Sequence, residues 1–393
     1  MAWLSGTLGL LNKIHSGDVS VYEHRCVAVR NRNATCTHCM DACISGALSL
    51  CNDELVVSPD QCVGCGTCAT VCPTGALEAH NPNDAELHRA ALDALRLNGG
   101  IAVVACHRIV DDAQTMLQAE KLVAVECLGR VEESLVMALA AAGAQGIRLV
   151  RANCESCDLK VGFDTVEKVR ETSNELLRTW GQIARVEIVS KFPASVRHAQ
   201  TGSYDKMRRT FFFQAKDEAQ KVAAAIAGET LLGDKDVLPE ELGYTKVQSD
   251  GTLPQFIPDR RDRLLDNLAA LGEPLDELIA TRLWGHVLID PEKCSSCLMC
   301  ATFCPTGALR KNEETDGIVV LDHFPGDCVL CHCCEDICPD GALGLYDEVF
   351  APDVLSGTVE HNVLRGPRYD MASSKRARTM FRDLLKCDDI YDR

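Results

Sequence analysis

Aromatic residues make up only 5% of this 393-residue chain. No apolar run approaches the roughly 18 residues that a membrane-spanning helix needs. The first scarcity leaves the core to Ala, Val, Leu and Ile, and a hydrophobic content of 46% is enough for about two to four folded domains. Basic charge is also short. Lys and Arg number 40 against 57 Asp and Glu, a net charge of −17, which disfavours nucleic acid and anionic membrane surfaces as partners. There is no Gly-x-Gly-x-x-Gly fingerprint, no Walker loop, no Ser-His-Asp set and no catalytic metal motif, so neither a nucleotide fold nor a substrate site of its own is expected. The opening Met1-Ala-Trp-Leu-Ser-Gly lacks a basic stretch followed by an apolar one, so the expectation is a cytoplasmic protein of a reducing, anaerobic setting.

Cysteine is abundant, at 23 residues. The odd count and the tight, regular spacing argue against a disulfide framework. Four times a cysteine cluster runs into one tail: Cys43-Ile-Ser-Gly-Ala-Leu, Cys72-Pro-Thr-Gly-Ala-Leu, Cys304-Pro-Thr-Gly-Ala-Leu and Cys338-Pro-Asp-Gly-Ala-Leu. Three of the four follow Cys-x2-Cys-x2-Cys-x3. Such a triplet puts three soft thiolates on one tight loop around a [4Fe–4S] cube, and the fourth cysteine serves a second cube. Four-cysteine zinc sites use separated Cys-x2-Cys pairs instead.

In residues 291–346 the spacing assigns Cys294, Cys297, Cys300 and Cys338 to one cluster, and Cys328, Cys331, Cys334 and Cys304 to another. In residues 26–82 one motif is complete, but Cys36-x2-Cys39-x3-Cys43 has Asn33 where its first ligand belongs. The next cysteine upstream is Cys26, and closing the intervening loop costs modest entropy. The expected sets are therefore Cys26, Cys36, Cys39 and Cys72, and Cys62, Cys65, Cys68 and Cys43. A three-iron cluster, or none, is the alternative at the broken motif. Constant offsets of 29 residues in the first segment and 34 in the second mark duplicated units. Both segments resemble bacterial two-cluster ferredoxin domains.

Residues 99–192 differ in character. The runs starting at Ile101, Leu122, Ile147 and Val186 read as strands, alternating with helices near 111–120, 131–143 and 164–180. That alternation predicts a parallel sheet. Cys106, Cys127, Cys154 and Cys157 fall at strand C-termini, the edge where open parallel sheets bind ligands. A lone cysteine there would be packing; a convergent set points to a metal. The stretch Glu126-Cys-Leu-Gly-Arg-Val-Glu-Glu-Ser-Leu, the turn Ala142-Gly-Ala-Gln-Gly and Asn153-Cys-Glu-Ser-Cys together resemble the delta iron–sulfur subunit of methyl-viologen-reducing hydrogenases. The resemblance implies a further iron–sulfur cluster, a [2Fe–2S], in a domain that relays electrons between a hydrogenase or formate dehydrogenase and a flavoprotein. Where that family has a first cysteine pair, this chain has Cys106 followed by His107; zinc is the alternative metal.

The expected architecture is a multidomain α+β and α/β chain, with two dicluster modules around a small parallel-sheet domain. A lead-in occupies 1–25, with Trp3, Leu4, Leu8 and Leu11 on it. Residues 193–290 form a linker with helices at 204–228, 260–271 and 274–282 and an extended stretch at 230–258. A tail with a basic helix from Ser374 to about Lys386 fills 347–393. Cys51 and Cys387 are left as structural residues, Cys333 as a neighbour of its cluster, and His38 and His332 as loop residues that tune potential. The expected function is an electron-transfer subunit of a hetero-oligomer, joining a hydrogenase, a formate dehydrogenase or another molybdenum or tungsten enzyme to a flavoprotein or ferredoxin-type acceptor. The central domain forms the middle of the relay and faces the partner. The rival is a thiol-based active site around Cys106, His107, Arg108 and Cys127.

Overall fold

A computed structural model describes residues 15–16, 18–198, 251–312 and 318–364. The expected apolar lead-in at Trp3 to Leu11, the helix at 204–228, most of the extended stretch at 230–258, the basic run from Ser374 and Cys387 all lie outside the described residues. The chain is a mixed α and β protein built from several small sheets. Among the described residues, no helix is long and apolar enough to cross a membrane.

The largest sheet is parallel and four-stranded, in the order Val123–Val125, Ile101–Cys106, Gly146–Val150, Val186–Val189. Its strands are near-continuous apolar runs because helices cover it. Glu133–Ala141 and Val161–Thr179 lie close to their expected positions. An unforeseen helix, Asp84–Leu97, precedes the first strand and opens on an Asn83/Glu86 capping box. Its buried Leu87, Ala91, Ala94 and Leu95 join the sheet's core. The helix expected at 111–120 is instead His107–Ala113, followed by two short 3-10 turns. Leu117, buried against the sheet, is drawn into an extended bridge with Arg197, and that pairing competes with helix.

Both cysteine-rich segments share one topology, with the first strand paired to the last and the two middle strands paired together. In the first segment Val19–Val21 pairs with Leu77–Ala79 and Leu48–Cys51 with Glu54–Val57. In the second His286–Ile289 pairs with Leu343–Tyr346 and Leu309–Asn312 with Val319–His323. Residues 19–21, expected in a lead-in, are thus an integral strand of the first sheet.

Two expectations past residue 250 are corrected. Residues 274–282 are not helical; Leu278–Ala280 is a strand antiparallel to Glu348–Phe350. Only Ile279 of the three points into the core, a period of two rather than 3.6. Nor is all of 347–393 a tail, since Glu360–Leu364 adds a third strand beside Val319–His323. Helix Asp259–Leu271, near its expected place, packs on Glu133–Ala141. Its Leu264 and Leu268, with Trp284, Val349 and Val354, complete the core of the parallel-sheet domain.

Candidate iron–sulfur sites

The four repeated tails have a common geometry. Their glycines, Gly46, Gly75, Gly307 and Gly341, all have φ between +56° and +72°, a left-handed region that only glycine enters without cost. The turn brings the following N–H back onto the cysteine. Ala76 donates to Cys72 Sγ at 3.2 Å and Ala342 to Cys338 Sγ at 3.3 Å. A hydroxyl two residues on also reaches sulfur in three tails, from Ser45, Thr74 and Thr306. Gly-Ala is therefore what this turn requires.

The complete triplets share a second device. A left-handed residue stands on each side of the middle cysteine: Gly64 and Gly66 around Cys65, Ser296 and Leu298 around Cys297, and Leu330 and His332 around Cys331. Alternating handedness aims successive N–H groups to one side, a nest suited to anionic sulfur. A short helix then starts after each loop, capped by Gly66, Leu298 or His332.

The thiols gather in five groups. Cys26, Cys36, Cys39 and Cys72 line one cavity. Burial, and after it the charges of Cys72 and Cys36, push the Cys26 thiol up to about 12. Cys68 is raised by burial and then by Cys65, Cys43 and Cys62. Cys300 responds in the same way to Cys297, Cys294 and Cys338, and Cys334 to Cys331, Cys328 and Cys304. Cys26, which no spacing rule joins to the others, lines the same cavity as Cys36. All 22 described cysteines are free of disulfides. Buried thiols this close repel as thiolates, so the arrangement fits a multivalent cation that deprotonates them and neutralises the set.

The fifth group sits at the C-terminal edge of the parallel sheet. Cys154 lies near Cys106 and Cys157, and Cys127 near Cys157 and Cys154. Backbone N–H groups point at sulfur here too. Ala152 donates to Cys106 at 3.3 Å, Gly129 to Cys127 at 3.4 Å and Leu159 to Cys157 at 3.3 Å. Burial drives Cys127 up to about 12. The Arg108 pKa is raised by its Asp158 hydrogen bond and then by the charge of Cys157, so Arg108 lies close to this group. His107 pairs with Asp111 at 2.9 Å and Arg108 with Asp158 at 2.8 Å, all four exposed.

Sequence reading missed how the groups adjoin. Cys127 is close enough to Cys65 for their charges to interact. The contact rests on two glycines. A Cβ at Gly129 would strike Thr67 beside Cys68, and one at Gly162 would strike Cys127 Sγ. Gly129 stands in the Cys-Leu-Gly-Arg stretch, so the signal was visible, though its cause, close backbone approach, was not. On its other side the first module meets the second. Cys36, Cys297 and Cys331 pack around Val27, Phe303 and Cys333. Thr35 N–H donates to Asp336 at 3.0 Å, and buried Arg30 donates to the Pro254 carbonyl at 2.6 Å and the Phe303 carbonyl at 3.4 Å. Cys333 turns its thiol toward the Phe303 carbonyl at this seam, and it also lies within charge range of Cys331 and Cys304. Cys51 is exposed, its thiol near Ser49. Burial lowers the His38 pKa, and His332 pairs with Glu335 at 2.5 Å.

Residues 55–78 match the 4Fe-4S binding domain family and residues 286–342 the 4Fe-4S dicluster domain family. An uncharacterized ferredoxin of Methanocaldococcus jannaschii is 40% identical over 48 residues, covering 77% of its length and 12% of this chain. The chain belongs to the ferredoxin family. AegA of Escherichia coli K12, a protein that carries the name of an oxidoreductase, is 33% identical to this ferredoxin-family chain over 100 residues. That is 22% of this chain, which spans only 15% of the AegA length. No solved structure matches. The ferredoxin segments and the oxidoreductase relative support an electron-transfer role.

Proposed function

We propose that this ferredoxin-family protein is a five-centre electron relay, an iron–sulfur subunit between a catalytic redox subunit and a flavoprotein or ferredoxin-type acceptor. Four [4Fe–4S] clusters are assigned to the four module groups, with Cys26 replacing the ligand missing at Asn33. A smaller centre, [2Fe–2S], is assigned to Cys106, Cys127, Cys154 and Cys157. Such clusters supply reversible one-electron chemistry at potentials set by hydrogen bonds to sulfur, charge and burial. The chain contributes the nests and tail N–H groups that stabilise charge on sulfur, and the apolar walls that keep water off.

The observation that carries this reading is the unbroken adjacency of the thiol groups. The parallel-sheet thiols lie within charge-interaction range of the Cys62 group through Cys127 and Cys65. The Cys62 group lies within such range of the Cys26 group through Cys68 and Cys39. The Cys26 group meets the second module across the Cys36, Cys297 and Cys331 seam. The central domain, expected in the middle because both modules flank it in sequence, therefore stands at one end of the line. Partner docking is then assigned to the parallel-sheet edge at one end and to the second module at the other.

Anaerobic purification, iron and sulfide counting and EPR during stepwise reduction test this. About 18 irons per chain, with pairwise spin coupling among the reduced centres, is the expected result. About 16 irons with an alkylatable thiol at Cys106 or Cys127 would instead place a thiol active site in the central domain.

A further inference from the structure

Apart from the cysteine groups, one set of metal-binding side chains converges among the described residues: His286, His323 and Glu360. They come from three strands far apart in sequence. His286 opens the strand paired with Leu343–Tyr346. His323 ends the strand Val319–His323 and faces Glu360 directly across the ladder. The potential ligand atoms all lie within 4.8 Å of one another. Glu360 takes one histidine on each oxygen, His323 Nδ1 at 2.7 Å and His286 Nδ1 at 3.1 Å. The two imidazoles stand nearly perpendicular, at 71°, with centroids 6.1 Å apart.

His323 is fully buried, and its Nε2 has no hydrogen-bond partner. The set therefore gathers two imidazoles and a carboxylate from three strands around one point, with one of the rings closed off from water. A divalent ion would take one nitrogen of each neutral imidazole and a carboxylate oxygen, and would balance the Glu360 charge without protonating either ring. Partial exposure of His286 and Glu360, at 33% and 28%, leaves room for water as a further ligand.

We propose that His286, His323 and Glu360 form a mononuclear site for a divalent transition ion, zinc by its donor set of two imidazoles, one carboxylate and an open position. The ion is separate from the iron–sulfur centres. It clips the strand Glu360–Leu364, which lies beyond the last tail cysteine, and ties the module's two small sheets together.

The test uses the anaerobic, iron-loaded full chain incubated with zinc chloride and desalted. Expected is about one zinc per chain in the wild type that is absent from both His286→Gln and Glu360→Gln, with iron and sulfide equal in all three. Equal iron shows that the variants have folded. Zinc K-edge absorption on the wild type gives an independent reading that needs no variant: nitrogen and oxygen neighbours at about 2.0–2.2 Å are expected. Equal zinc in the three proteins, no retained zinc in the wild type, or sulfur neighbours at about 2.3 Å would each overturn the proposal.

Discussion

The two cysteine modules have one topology but not one set of loops, and the broken loop shows what a complete one needs. In the second module both triplets bend through left-handed residues on either side of the middle cysteine, although none of the four is glycine. In the first module the complete triplet does so with Gly64 and Gly66. The incomplete loop has no left-handed residue between Asn33 and Cys39. Thr37 caps the following helix at φ −125°, where the other loops place a left-handed cap. Asn31 meanwhile holds the Asn33 N–H at 2.9 Å with its side chain. Loss of the first cysteine and loss of the nest go together. Cys26 then approaches from a different element, at the start of the helix Val27–Arg30.

The largest effect should come from removing that substitute. Cys26→Ser is expected to cost about four irons per chain, as Cys294→Ser should in the second module. Adding Asn33→Cys to the Cys26→Ser variant should not restore them, because Asn33 is exposed and is not among the residues that line the cavity. Iron counting on the three variants decides. Full recovery in the double variant would mean that spacing alone makes a ligand and that the nest is incidental.

The proximity of the cysteines within each loop could be read from sequence because their spacing is a local constraint, and counting pointed to Cys26, which lines the cavity with Cys36, Cys39 and Cys72. The parallel sheet was legible for a similar reason, through apolar runs at regular intervals. The line of adjacent groups was not. It depends on Gly129 and Gly162 letting two backbones meet, and on Arg30 reaching carbonyls more than 220 residues away. A sequence prints such contacts only as a glycine or a lone arginine. The helix expected at 274–282 failed because Leu278-Ile-Ala is apolar at every position, and a short apolar run does not reveal its period. His286, His323 and Glu360 were invisible because no motif joins residues on three separate strands.

A next, smaller effect separates nest geometry from domain contact. Gly66 is left-handed, and a Cβ there would also run into Arg130. Arg130 cannot swing aside, since it is buried and held by Asp84 and the Pro82 carbonyl. Gly46 is equally left-handed but has nothing near its Cβ position. Gly66→Ala should therefore destabilise by about 2–4 kcal/mol, strain plus overpacking. Gly46→Ala should cost only about 1–2 kcal/mol, from strain alone. Anaerobic denaturant melts of the two variants check this, and equal losses would remove the Arg130 contact from the account.

Acid should act on the two modules in opposite directions. Glu23, in the first, has its pKa raised by burial and then by Glu54. A raised carboxyl binds its proton more tightly when folded, so acidification through its folded pKa toward 4.5 stabilises this module. Glu360, in the second, is held below 4.5: burial would raise it, but His323 and His286 outweigh that. Its contribution is present above 4.5 and is lost as pH falls through the lowered folded value. Hydrogen exchange should show peptide 19–25 becoming more protected between about pH 6 and 4.5, and peptide 319–323 less protected below about pH 4.5. Parallel changes in both would contradict the assignment.

The smallest effect concerns the non-glycine nest. His332 has φ 58° and is half exposed, and its side chain's interaction there is the Glu335 pair. His332→Gly relieves about 1 kcal/mol of left-handed strain and gives up about 0.3–0.5 kcal/mol of surface pairing, while the unfolded chain gains freedom. The net change should stay within about 1 kcal/mol of zero with iron content unchanged. The same substitution at Thr37, which is not left-handed, relieves nothing and should lower stability by about 0.5–1 kcal/mol. If His332→Gly proved as costly as Thr37→Gly, the left-handed cap would not be the feature that distinguishes a complete loop from the broken one.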